Sequence, residues 1–215
     1  MSSRIEFLSG RSIEIEPWCL MGILNVTPDS FSDGGDHFRP EDAIKAGLEM
    51  VKGGASILDV GGESTRPGAD RVSVSEQIKR IIPVITGLRS QSEVVISVDT
   101  TKEDVVRAAY QAGADLVNDV SAGTEDEGIL ACIAELNMGV ILMHRLVPPS
   151  DDVYSDQYAV APSYQDVARE VAHFLQERVN SALDAGIDAQ RIILDPGLGF
   201  GKSVEQNLEL IRGID

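Results

Sequence analysis

The sequence is short of several features that mark whole classes of protein. No apolar run approaches the roughly 20 residues that a membrane-spanning helix needs. Residues 1–17 carry charged side chains where a signal peptide has an apolar core. We therefore expect a cytoplasmic protein that is not bound to a membrane.

Cysteine and histidine are scarce, with two and three residues in a chain of 215. Cys19 and Cys132 lie among apolar residues without metal-ligand spacing, so we interpret them as reduced core thiols. His37, His144 and His173 do not form a metal pattern either. Of the three, only His144 follows a predicted strand, where it could touch a ligand.

Basic residues are also few, with 18 Lys and Arg against 35 Asp and Glu and a net charge of −17. A nucleic-acid partner needs a net basic face, so this balance excludes that class. It leaves room for a small anionic substrate that is held by a few local donors.

Short apolar runs alternate with amphipathic segments along most of the sequence. Residues 4–16 alternate in polarity around Ser9-Gly10, which is typical of a β-hairpin. The predicted strands that follow are 19–26, 56–60, 94–98, 115–117, 139–143 and 191–194, and the predicted helices are 40–52, 75–89, 102–112, 127–136, 163–185 and 203–211. Six strand–helix units in series predict a parallel sheet that is covered by helices.

Almost every predicted strand ends in a polar residue or cluster. Chemistry spread over the carboxyl ends of successive strands is typical of an α/β fold of the (β/α)8 TIM barrel type, where those ends form one rim. We expect the hairpin to cover the opposite end, and residues 1–215 to form a single domain. The sequence contains about six of the eight units that close such a barrel.

Three of these strand-end residues suit a flat, nitrogen-rich ring. Asp99, Asn118 and Asp195 each directly follow a strand and could converge on one pocket. An ionised Asp accepts two parallel N–H donors, and Asn supplies both a donor and an acceptor. The alternative is that these residues cap the following helices. We interpret Asp59 and Glu63 as structural partners of backbone or Arg groups.

The loops after the strands carry further candidates. Thr65, Arg66 and Pro67 offer a hydroxyl, a forked cation and a stiff turn, and Phe200 and Lys202 offer stacking and an anion contact. Their alternative is a plain connection to the next helix.

The first long loop is polar throughout. Asn25 ends the first strand with an amide oxygen that suits Mg²⁺. The residues after it, with Phe31 as their aromatic member, are typical of a lid that excludes water.

Five phrases of the sequence, taken together, resemble the dihydropteroate synthase family. They are MGILNVTPDSFSDGG at 21–35, GASILDVGGESTRPGA at 54–69, SVDTTK at 97–102, LVNDVSAG at 116–123 and ILDPGLGFGK at 193–202. The resemblance implies a transferase of folate biosynthesis. Such enzymes join 6-hydroxymethyl-7,8-dihydropterin pyrophosphate to p-aminobenzoate, giving 7,8-dihydropteroate and pyrophosphate, and are the targets of sulfonamides.

The same resemblance implies a role for each matching position. The pterin-binding set is Asp99, Asn118, Met143, Asp195 and Phe200; the p-aminobenzoate set is Phe31, Pro67 and Lys202; the catalytic set is Asp99, Asp195, Arg66 and Thr65; and the ligand of Mg²⁺ is Asn25. Pairing of such barrels implies a homodimer, and small molecules are the other expected partners.

Two departures from the family pattern affect these expectations. The segment after Met143-His144 is atypical, which leaves the fifth rim loop open. The family's last two βα units have no counterpart, so we expect little or no synthase activity from these 215 residues alone. The alternatives are a pterin-binding methyltransferase barrel and a non-catalytic pterin-binding subunit.

Overall fold

The computed structural model describes residues 3–15, 17–27 and 39–213. The proposed lid residue Phe31, and His37, lie outside the described residues. The strands are β1 (Ser3–Glu6), β2 (Ser12–Ile15), β3 (Met21–Asn25), β4 (Ile57–Gly61), β5 (Val95–Asp99), β6 (Leu116–Asp119), β7 (Gly139–Met143) and β8 (Ile192–Asp195). The helices are α1 (Pro40–Lys52), α2 (Val74–Arg89), α3 (Glu103–Ala112), α4 (Ile129–Glu135), α5 (Val167–Asp184) and α6 (Val204–Arg212).

Strands β3 to β8 form one parallel sheet in the order in which they occur along the chain. Each is followed by a helix, which confirms the predicted α/β fold and its six βα units. Within the described sheet, β3 and β8 each have a neighbour on one side only. Hairpin β1–β2 is a separate antiparallel pair, as predicted.

The outer face of the sheet packs on the helices and forms the main core. Strand residues such as Leu24, Leu58 and Leu142 are buried there, with helix residues that include Ile81 and Leu88. Each such side chain contributes about 1.5–3 kcal/mol by leaving water. This layer makes the sheet rigid and so fixes where its strand ends lie.

The inner face of the sheet is closed at its lower end by the hairpin. Ile5, Phe7 and Ile13 form a second apolar cluster with inward-facing residues of four strands, including Leu116 and Ile141. The hairpin thus covers the end of the sheet opposite to the strand-end polar residues, as predicted. The residues two places further along each strand face the same side, above this cluster.

The helix ends follow the sequence signals to within two residues, with one larger difference. Helix α1 begins with Pro40, and acidic residues occupy its first turn, as predicted. Helix α5 begins at Val167 instead of 163, because the Asp166 side chain accepts a hydrogen bond from the Arg169 backbone N–H at 3.0 Å and caps the helix there. No described helix is both long and apolar enough to cross a membrane.

Candidate functional site

Strand register brings the predicted pocket residues to one face of the sheet. Asp99 is paired directly with Asn118, and Asn25 lies on the same level across Gly61. Asp195 faces the same side, two residues after Ile193, which packs against the lower apolar cluster. These four polar residues, called the polar floor below, lie above the apolar cluster.

Two further side chains complete this floor. Met143 is paired with Asp195 and is buried. One carboxylate oxygen of Asp195, Oδ1, accepts a hydrogen bond from the backbone N–H of Gly197 at 2.7 Å, which orients the side chain.

Below Asp99, Asp59 is almost completely buried, and its Oδ2 accepts a hydrogen bond from Asn118 Nδ2 at 2.9 Å. The structural partner of Asp59 is therefore an amide, and not the backbone or Arg group that we predicted.

The negative charge of this floor is costly because it is buried among other acids. Burial raises the pKa of Asp99 well above its ordinary value, and repulsion from Asp59, Asp119 and Glu63 raises it further, against attraction by Arg145. Such a carboxyl gains from any ligand that brings N–H donors or positive charge. Perturbed carboxyls of this kind are typical of functional sites.

A second cavity of about 410 Å³ lies beside the strand ends, at the mouth of the inner face. It is lined by three loops that are far apart in the sequence, with Thr65, Arg66, Pro67, Tyr154, Ser155, Asp156, Gly199, Phe200 and Val204. The structure thus brings together the hydroxyl, cation, turn and aromatic ring that the sequence singled out. It adds residues of the atypical segment after β7 as a third wall.

Lys202 does not lie in that lining. Its side chain is completely buried, and its ammonium group donates to the carbonyl oxygens of Gly197 and Phe200, both at 2.8 Å. It also contacts His144, through Nδ1 at 3.0 Å and through the carbonyl oxygen at 3.3 Å. Contrary to the sequence prediction, the ammonium is occupied by main-chain oxygens, so it holds the loop together and does not offer an anion contact to the cavity.

His144 is the neutral partner of that ammonium. Burial and the nearby charge of Lys202 lower the pKa of His144 to about 4. Because Lys202 can only donate, Nδ1 of His144 must accept and carries no proton. His144 is thus a buried structural residue beneath the loop.

This arrangement predicts acid sensitivity. The pKa of His144 is about 4 in the folded protein and about 6.5 in the unfolded chain, so protons favour unfolding as the pH falls through that window. We expect a loss of about 3 kcal/mol between pH 6.5 and pH 4 from this residue. Chemical denaturation at several pH values measures it. His144→Gln should flatten the profile there, whereas His173→Gln, at an exposed position, should not. A wild-type profile that is already flat would contradict the prediction.

A cluster of charged residues beside Asp99 was missed by the sequence analysis. Glu125 accepts hydrogen bonds from Arg71 and Arg145, and from Thr101 Oγ1 at 2.7 Å. Glu63 accepts from Arg71 at 3.3 Å and from a backbone N–H, which confirms its predicted structural role. These residues come from four loops, and no local spacing in the sequence predicts that they contact one another.

Comparisons with known proteins agree with this geometry. The profile of a family described as "Pterin binding enzyme" matches residues 21–215. A dihydropteroate synthase of Streptococcus pyogenes is 45% identical over 196 residues, which cover 91% of this chain and 69% of that protein. The chain belongs to the dihydropteroate synthase family.

Solved structures support the same assignment. The dihydropteroate synthase of Xanthomonas albilineans with 4-aminobenzoic acid has a TM-score of 0.88 and 45% sequence identity, and the match covers 100% of this chain and 73% of that one. The Yersinia pestis dihydropteroate synthase in a sulfonamide drug complex has a TM-score of 0.87 and 37% identity, with coverage of 98% and 74%. The chain therefore shares the fold of these synthases over its parallel six-stranded sheet and six helices.

The described residues offer few ligands for the Mg²⁺ ion that the resemblance implies. Among residues 3–15, 17–27 and 39–213, no group of three His, Cys, Asp or Glu could hold a metal ion. Asn25 stands at the end of β3 and offers one amide oxygen. A single oxygen fits an ion such as Mg²⁺ that takes its other ligands from phosphate and water.

Proposed function

We propose that this chain acts as a dihydropteroate synthase, with the pterin on the polar floor and p-aminobenzoate in the second cavity. The main support is the placement of Asp99, Asn118 and Asp195 on one inward face of the sheet. Their acceptors match the N–H-rich edge of a pterin. The buried side of Met143 gives the ring an apolar contact.

The reaction then follows from charge. Loss of pyrophosphate from the exocyclic carbon leaves a pterin-stabilised carbocation, which the amine of p-aminobenzoate attacks. The carboxylates of Asp99 and Asp195 lie under the ring that becomes positive, and fixed charges of this kind stabilise such a state more than the neutral substrate. That positive charge acts against the burial and the like charges that raise the pKa of Asp99.

The second cavity supplies the other reactant. Pro67 and Phe200 form apolar walls for the benzene ring, and Thr65 and Arg66 add polar groups to the lining. Thr65 also lines the smaller cavity that reaches Asp99. Phe31 is proposed as the aromatic cover from the first loop. Lys202 supports this site from below, through the loop that carries Phe200.

Asn25 is proposed as the protein ligand of a Mg²⁺ ion that arrives with the diphosphate. When bound, that ion neutralises charge on the leaving pyrophosphate. Asn25 itself contributes an oriented oxygen at the end of β3, on the same level as Asp99.

The experiment that tests the proposal measures binding before turnover. We expect calorimetry to detect 6-hydroxymethylpterin binding. We expect 7,8-dihydropteroate at a low level at most, and only when both substrates are present. Arg66→Ala should lower product formation about 10-fold or more, and pterin affinity less than about threefold, because a charged hydrogen bond of 1.5–3 kcal/mol is lost outside the pterin floor.

Exposed Arg169, on α5, offers the matched control. Arg169→Ala should change neither quantity. Absence of pterin binding by the wild-type chain would refute the proposed function, and an equal loss of affinity and turnover in Arg66→Ala would refute the role of Arg66.

A further inference from the structure

Asp59 is a buried acid at the bottom of the polar floor. It lies inside β4, two residues before Gly61, and is 2% exposed. A carboxylate at such a depth is costly unless its oxygens are bonded. Among the described residues Oδ2 accepts a hydrogen bond from the amide of Asn118, and Oδ1 has no hydrogen-bond partner. The Ser97 hydroxyl on the paired strand acts against the burial that raises the pKa of Asp59. A buried acceptor left open in this way requires an explanation.

Asn118 shows the complementary pattern. Its Nδ2 donates downward to Asp59, and its Oδ1 is buried without a partner among the described residues. The two polar atoms of an amide point in different directions, so fixing Nδ2 on Asp59 also fixes where Oδ1 points. With the amide reversed, an N–H would stand where the oxygen now stands, and the pocket would recognise an acceptor there instead of a donor.

We propose that Asp59 is a positioning residue of the pterin pocket, which holds the Asn118 amide with its oxygen toward the ligand. This inference rests on the proposed function, because it assigns the pterin's N–H groups as the donors that Asn118 Oδ1 selects. Asp59 does not need to touch the reacting atoms. Asp59 instead sets which hydrogen-bond donors and acceptors the pocket presents to the ligand.

The charge of Asp59 gives a second, independent link to the pocket. The groups that face Asp99 are Asp59 on β4, Glu63 after β4, Asp119 on β6 and Arg145 after β7. Removal of the Asp59 charge therefore lowers the pKa of Asp99, since one repulsive neighbour is lost. A purely space-filling residue would have no such effect.

Two substitutions separate orientation from charge. Asp59→Leu keeps the branching of the side chain but removes the acceptor, so pterin affinity should fall roughly 10- to 100-fold as the amide loses its fixed orientation. Asp59→Asn keeps an oxygen for Asn118 Nδ2, so affinity near neutral pH should stay within about threefold of wild type. The acid limb of its binding profile should move to lower pH.

The matched control is a buried acid at the other end of the barrel. Asp115 is 4% exposed and is bonded to Ser9, Arg11 and Arg89 below the sheet. Asp115→Asn should lower thermal stability and leave pterin affinity unchanged. It shows what destabilisation alone does to binding.

The probe is 6-hydroxymethylpterin, titrated from pH 5 to pH 8 by calorimetry. Equal affinity and an unchanged acid limb in both Asp59 variants would overturn the inference. If the wild type binds no pterin, the proposed function fails, and the ligand-free protein still decides the question. In that case the side-chain NH₂ resonances of Asn118 should be protected from exchange in the wild type and in Asp59→Asn, but not in Asp59→Leu. Protection that survives in Asp59→Leu would refute the link.

Discussion

Asp99→Asn is expected to raise the melting temperature of the protein while it removes measurable pterin binding. The folded state raises the pKa of Asp99, so the ionised carboxylate is less favourable in the folded than in the unfolded chain. An amide of the same shape carries no such cost. We expect a gain of about 1 kcal/mol, or roughly 2–4 °C for a chain of this size.

The loss of binding has the same origin. The amide cannot accept two parallel N–H donors, and it presents a donor of its own to a donor-rich ring. A loss of one or two charge-assisted hydrogen bonds weakens pterin binding by roughly 100-fold or more. Calorimetric unfolding and titration with 6-hydroxymethylpterin measure the two effects on the same sample.

Asp104 provides the control, since it is exposed on α3. Asp104→Asn makes the same chemical change and should alter stability by less than about 0.5 kcal/mol, with unchanged affinity. Asp195→Ala should likewise lose binding, because its carboxylate lies on the same floor. Unchanged affinity in Asp99→Asn or in Asp195→Ala would remove that residue from the proposed pterin pocket.

Lys202→Met should be among the most destabilising single changes in the chain. Three main-chain carbonyls and one imidazole nitrogen meet at this ammonium. Methionine fills the volume but leaves those acceptors buried and unpaired, which costs about 1–3 kcal/mol for each acceptor that water cannot reach. We expect a total near 3–5 kcal/mol and a fall in melting temperature of roughly 10 °C.

The control for this change is Lys79→Met. Lys79 is an exposed residue of α2 whose ammonium lies 3.6 Å from Glu76. Its loss should cost less than about 1 kcal/mol, since exposed ion pairs contribute little. Thermal unfolding of the two variants side by side measures the difference. Similar melting temperatures would show that the interior bonds of Lys202 contribute little to the fold.

The fold could be predicted from the sequence because its signals are local. Apolar runs, helix-start residues such as Pro40 and the Ser9-Gly10 turn each act over a few residues, and the six units follow from their order. The polar floor could be predicted for a related reason. The carboxyl ends of parallel strands lie at one edge of the sheet. The placement of Asp99, Asn118 and Asp195 could therefore be predicted without knowing any contact between distant segments.

The errors lie where distant segments meet. A Lys after a glycine-rich loop predicts an anion contact. The direction of the Lys202 side chain is set instead by carbonyl oxygens of the loop and of the residue after β7, which come together only on folding. The cluster around Glu125 depends on four loops in the same way. For Asp59, the cost of its burial was visible in the sequence, but the identity of its partner was not.

The segment after β7 is held in position by hydrogen bonds from its side chains to main-chain atoms of the loop after β8. Asp152 Oδ2 accepts from the N–H of Gly201 at 2.8 Å, and the Tyr164 hydroxyl donates to the carbonyl of the same glycine at 3.1 Å. Gly201 has φ +66, and a Cβ there would lie 2.3 Å from the Leu146 side chain, so this one position must stay glycine. One side chain of the cavity wall is held as well, because Ser155 Oγ accepts a hydrogen bond from Asn207 Nδ2 at 3.0 Å. Substitutions at Tyr154 and Asp156, which line the cavity on this segment, are therefore expected to change its lining without displacing the segment.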